Sequence, residues 1–133
     1  MPEAGVNTAA GPGRVIVAVY GIFAVSAGAR SAVQIATKFS EAPLAYLLSA
    51  LAAVVYLVAA VALARSRWSL ALSACAVELA GVLSVGTASL LVPAAFPDAT
   101  VWSEYGIGYG FVPLVLPMLG LSWLYRARSG LRT

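Results

Sequence analysis

Glu78 is the residue whose type and position most demand a chemical reason. It stands ten residues beyond Trp68, inside residues 69–92 (SLALSACAVELAGVLSVGTASLLV). That stretch is long enough to cross a hydrocarbon core of ~30 Å at about 1.5 Å per helical residue. The carboxyl then lies roughly 15 Å deep, where an acid costs about 2.5–3.5 kcal/mol to insert. Two kinds of chemistry would justify it: a transported proton or cation, or a hydrogen bond that joins helices. Ala74, Cys75, Gly81, Val82 and Val85 share its helical face. Small residues let helices approach closely, so this face is expected to point into a bundle or a dimer interface. As a neutral acid, Glu78 could bond a Ser, a Thr or a backbone carbonyl, and this structural role is the preferred reading.

Arg30 and Gln34 complete the candidate polar site. Arg30 lies 16 residues beyond Arg14, roughly 24 Å along its helix. Against Glu78 this is an axial offset of about 9 Å, which side-chain lean and helix tilt shorten. The offset disfavours a direct ion pair and leaves Arg30 for outer headgroups, Glu104 or Glu41. Gln34, one turn further on, would share the same polar patch.

Other chemistry is sparse. The chain has no His, and Cys75 is its only cysteine, which removes disulfide frameworks, Cys/His zinc sites and His-activated nucleophiles. No enzyme activity, cofactor or metal is expected. Residues 107–110 contain the Gly-Tyr-Gly core of potassium selectivity filters, but such filters need a re-entrant pore helix and a ring of four loops. Glycines easing a helix entry explain the segment better.

The elements that must position these residues follow from composition. Of 133 residues 62% are hydrophobic and 10% charged, with mean hydropathy +0.94, whereas soluble domains carry about 25% charged residues. The expected fold is all-α, a four-transmembrane-helix bundle with spans at 15–37, 43–64, 69–92 and 105–125. Residues 1–13, broken by Gly and Pro, read as a disordered cytoplasmic tail, and residues 127–133 as a basic cytoplasmic tail. A cleaved signal peptide ending near Ala27-Gly28-Ala29 is the alternative for the first span. Because the apolar pattern runs on through Ala36, retention is expected instead. The second span, the most uniformly apolar, reads as a lipid-facing wall. Pro113 and Pro117 should kink or loosen the first half of the fourth.

Charge sets orientation. Arg14, Arg65, Arg67, Arg126, Arg128 and Arg132 fall on one side, whereas the other holds Lys38 with Glu41, Asp98 and Glu104. By the positive-inside rule both termini are cytoplasmic, so the net charge of +3 calls for no nucleic acid. Trp102, Tyr105 and Phe39 are assigned to the outer interfacial belt, Trp68, Trp123 and Tyr125 to the inner one. The turns around Phe39-Ser40-Glu41-Ala42-Pro43 and Phe96-Pro97-Asp98-Ala99-Thr100 echo each other faintly.

Two blocks, residues 30–64 (RSAVQIATKFSEAPLAYLLSALAAVVYLVAAVALA) and 102–124 (WSEYGIGYGFVPLVLPMLGLSWL), resemble a family of small actinobacterial integral membrane proteins with no assigned activity. The resemblance implies topology and host and carries over no site residue. Small multidrug exporters share the size and one embedded Glu, but theirs lies in the first span. The expected protein is a multi-pass plasma-membrane accessory or interaction subunit. Its partners would be the lipid bilayer and other membrane proteins, or a second copy of itself. A small proton-coupled transporter using Glu78 is the alternative.

Overall fold

The computed structural model describes residues 7–130, with side chains at all but 108 and 128–130. Among the described residues there are four α-helices and no strand: α1 (Pro12–Lys38), α2 (Pro43–Ala64), α3 (Trp68–Leu91) and α4 (Val112–Gly130). The first three are long and apolar enough to cross a membrane; the apolar part of α4, Val112–Ala127, is shorter. Pro12 and Pro43 each occupy the opening turn of their helix, where a missing N–H costs nothing. The α2–α3 turn is closed by Ser66 N–H to Leu63 O (3.2 Å) and Arg67 N–H to Ala62 O (2.8 Å). This is a Schellman pairing with Ser66 in the left-handed position at φ 53°, a place usually held by Gly. The Ser66 hydroxyl compensates by accepting the Thr8 N–H at 3.1 Å.

The helices pack α1 on α2, α2 on α3, α3 on α4, and α4 back on α1. The seam of α2 is Ala45, Ser49, Ala52, Tyr56, Ala59 and Leu63, all 4% exposed or less. Their spacing alternates four and three, so one continuous stripe faces the other helices. Small residues on that stripe bring the backbones close. The expectation of a lipid-facing α2 holds for one face only: Leu47, Leu51, Val54 and Leu57 are half exposed or more, yet α2 is the most buried of the three long helices. Apolar character alone cannot separate lipid from packed neighbours, because both are apolar.

Three further expectations change. The tail assigned to residues 1–13 is ordered from Asn7, with Thr8 fully buried. Its hydroxyl donates to Leu63 O (2.6 Å) and its carbonyl accepts from Trp123 Nε1 (2.9 Å); residues 1–6 lie outside the described range. At the other end α4 runs on to Gly130, so the basic tail begins as helix; residues 131–133, Arg132 among them, lie outside the described range.

The fourth span also starts later than expected, at Val112 rather than residue 105. Cys75 and Gly120 are at one level, since a Cβ on Gly120 would lie 2.8 Å from Cys75 Sγ. From there α3 continues for sixteen residues to Leu91 and α4 for eight back to Val112, so α4 begins roughly 12 Å short of the end of α3. Residues 92–111 fill the gap by dipping into the bundle. Val101 N–H reaches Ser49 Oγ on α2 (3.4 Å), Glu104 N–H reaches Ser89 Oγ on α3 (2.8 Å), and Tyr105 and Thr87 hydroxyls meet at 2.9 Å. Glu104, Tyr105 and Gly106 are successively left-handed, at φ 51°, 62° and 84°. Pro113 consequently sits in the first turn of α4, leaving Pro117 as its interior proline. Irregular backbone at this depth is tolerable where protein, not lipid, surrounds it.

Candidate functional site

Glu78 is fully buried on α3. Its Oε1 accepts a 2.8 Å hydrogen bond from the Tyr20 hydroxyl of α1, which also lies 3.5 Å from Cys75 Sγ. Gly120 of α4 closes over this group, with its Cβ position 3.7 Å from the Tyr20 hydroxyl. The Tyr20 ring is tilted against Tyr56 of α2 at 6.0 Å between centroids, and Phe23 meets Tyr56 edge-on at 5.8 Å. The dipping loop supplies the last wall. Trp102 lies on Gly81, one turn from Glu78, where any Cβ would come within 2.7 Å of its ring. Glu78 Oε2 is buried here without a hydrogen-bond partner, whereas the Tyr56 hydroxyl lies beside the Trp102 indole and interacts with it.

The other two residues of the candidate polar site lie elsewhere, as the axial offset of Arg30 implied. Arg30 is exposed, and its Nη1 donates to the Tyr109 hydroxyl at 3.0 Å; Tyr109 in turn packs on Phe23 at 5.5 Å. Arg30 thus pairs with neither Glu78, Glu104 nor Glu41 among the described residues. Gln34 is buried and its Oε1 is unpartnered. It does not join Glu78, because Tyr20, the residue at the Glu78 level, lies fourteen positions earlier in α1, roughly 21 Å along the axis.

Tyr20, Tyr56 and Trp102 are the site residues that sequence reasoning missed. Tyr20 was only partly findable: counted from Arg14, as for Arg30, it lies six residues in, roughly 9 Å deep and about 6 Å short of the Glu78 level. Trp102 carried no such signal, since nothing local marks a loop that dips. It is 2% exposed, not part of an outer belt. Trp68 is likewise buried, with Nε1 donating to Leu124 O at 2.9 Å.

A second polar group stands at the end remote from the described chain ends. Lys38 Nζ is 3.6 Å from Asp98 Oδ2, which also accepts the Tyr46 hydroxyl at 2.9 Å. The Tyr46 bond, with the Ala99 N–H and Lys38 beside it, holds the Asp98 carboxyl below the usual carboxylate range against the opposing effect of burial. Among the described residues no group of three His, Cys, Asp or Glu could hold a metal ion.

No family model matches the chain, and no curated protein or solved structure matches it significantly. The resemblance drawn from residues 30–64 and 102–124 therefore rests on those residues alone.

Proposed function

We propose that the chain is a four-span plasma-membrane protein with both termini cytoplasmic. In this reading it acts without catalysis, as an accessory or interaction subunit among other membrane proteins or copies of itself. The observation that carries this reading is the Tyr20–Glu78 bond: the one deeply buried acid among the described residues is used to tie α1 to α3 inside a closed interior. Outward surfaces support a lipid setting, with Ile22, Val25, Leu47, Leu57 and Met118 all more than half exposed. Arg14, Arg65, Arg67 and Arg126 gather at the end where Thr8 meets Leu63 and Trp68 meets Leu124, as cytoplasmic placement requires.

A second reading is a small proton-coupled transporter, favoured by the unpartnered Glu78 Oε2. Glu78→Gln separates the two, because it removes the ionisable group and keeps shape and hydrogen-bonding capacity. A structural acid tolerates the change, and reconstituted vesicles show no proton movement before or after it. A stable Gln variant that abolishes a wild-type proton signal would overturn the accessory reading.

A further inference from the structure

Among the described residues Arg30 is an exposed cation without an anion. The ion pair there joins Lys38 to Asp98, and the Arg30 guanidinium meets only the neutral Tyr109 hydroxyl. Its depth follows from α1. The helix has 27 residues, roughly 40 Å against a hydrocarbon core of ~30 Å, and Val25 is its midpoint. Arg30 stands five residues beyond that midpoint, roughly 7 Å outward. The side chain then turns back toward the middle. Its Nη1 donates to Tyr109, whose ring packs 5.5 Å from that of Phe23, two residues to the other side of Val25. This is the inward lean usual for long side chains on a helix, the opposite of snorkelling to the outer headgroups. The surface around it is apolar, with Ile22 and Val33 of α1 and Ile107 near Tyr109 all more than half exposed.

An ionised side chain inside a membrane pairs with another charge or faces a polar cavity, and a guanidinium matches a carboxylate two bonds at a time. Three sources could supply the anion. A lipid phosphate lies at the membrane edge, roughly 8 Å or more beyond a guanidinium held within ~7 Å of the middle. A second copy of this chain offers Glu78, which is fully buried. Its other acids among the described residues, Glu41, Asp98 and Glu104, stand outside the four α-helices, and Asp98 is already engaged by Lys38 and Tyr46. A helix of another membrane protein can present its acid at the depth of Arg30. We infer that Arg30 is the docking point for a transmembrane helix of a different protein that carries an Asp or Glu near the middle of its span. That helix lies along α1 with its carboxylate on the Arg30 guanidinium. Tyr109 holds the guanidinium in place for it. Ser26, small, exposed and one turn before Arg30, lets the helix come close. The inference rests on the accessory reading and narrows it, naming the partner's chemistry and setting copies of the chain aside.

The probe is a synthetic Leu/Ala helix of about 20 residues with one central Glu. It carries an energy-transfer acceptor and is mixed in phosphatidylcholine vesicles with donor-labelled protein. Association should be several-fold tighter than for the same peptide with Gln in place of Glu, or with the Glu moved to either end. Arg30→Gln should erase the preference, and Arg30→Lys, which keeps the charge and loses the planar fork, should retain part of it. An unchanged melting curve reports that each variant is folded; where Arg30→Gln does not fold, the displaced-Glu peptides on the wild type decide. A wild type that binds all these peptides alike would overturn the inference, as would a preference that survives in folded Arg30→Gln. Energy transfer between two copies of the chain that depends on Arg30 would also overturn it, in favour of self-association. Flotation with the vesicles separates this inference from the membrane reading beneath it. A protein that floats without preferring the central Glu defeats the inference alone, whereas one that does not float defeats both.

Discussion

Tyr20 is worth more to Glu78 than any cation among the described residues, and single substitutions should show it. Tyr20→Phe removes the hydroxyl bonded to Oε1, and intramembrane bonds of this kind are worth ~0.6 kcal/mol on average and at most about 1.7. Thermal stability in detergent is expected to fall by that order. Arg30→Ala combined with Glu78→Gln should be additive within about 0.5 kcal/mol, as for sites that share no partner; strong mutual rescue would instead reveal a charged pair. Asp98 makes a pH prediction. Its folded-state pKa is depressed, so its contribution is complete above the unfolded value of about 3.9 and is lost as pH falls through the lower folded value. Melting curves taken on acidification should decline in that window, and Tyr46→Phe should flatten the decline. An identical acid limb in both proteins would count against the Tyr46–Asp98 bond.

At the scale of elements, the close contact between α3 and the dipping loop is the most exacting feature. A Cβ on Gly86 would collide with the Tyr105 ring and come within 2.8 Å of its backbone nitrogen. Because backbone cannot swing aside as a flexible side chain can, Gly86→Ala is expected to cost about 1–3 kcal/mol, the range for overpacking. Gly21 on α1 has nothing within 4 Å of its Cβ position. Gly21→Ala should therefore be neutral or stabilising by up to about 1 kcal/mol through helix propensity. Paired melting temperatures check the contrast, and equal effects at the two glycines would mean that residues 92–111 do not sit against α3. The left-handed run Glu104-Tyr105-Gly106 fits the same view: non-Gly residues hold such angles only where their surroundings over-determine them. Here the surroundings are Ser89 and Thr87 of α3.

For the whole molecule the decisive experiment is sidedness. Ser40 and Ala99 are exposed at one end of the bundle, and Arg65 and Arg126 at the other. Single cysteines at these positions, in a Cys75→Ala background, should divide cleanly in intact cells treated with an impermeant thiol reagent. Those at 40 and 99 are expected to react, and those at 65 and 126 to stay unlabelled until the membrane is opened. Labelling at 65 from outside would reverse the orientation. Ser66 is a poor reporter, being buried against Asn7 and Thr8, and its substitution would also disturb the α2–α3 turn.

What the sequence determined by itself was the helical, apolar character of the chain and the limits of its middle helices. Pro43 and the Arg65–Arg67 bases bracket α2 where the structure has it, because prolines and charges act locally on helix ends. It also marked Glu78 as the residue needing explanation, from depth alone. Tertiary structure decided who answers that need. Tyr20 and Glu78 are 58 residues apart, and no periodicity within one helix reports on contact with another. The burial of α2 was half legible: the four–three stripe from Ala45 to Leu63 is in the sequence, yet an all-apolar helix shows no polar face to set it off. The dip of residues 92–111 was not legible, because its glycines and acids resemble those of any surface loop. Only the facing helices, through Gly81, Gly86 and Ser89, draw that chain inward and let Trp102 complete the walls around Glu78.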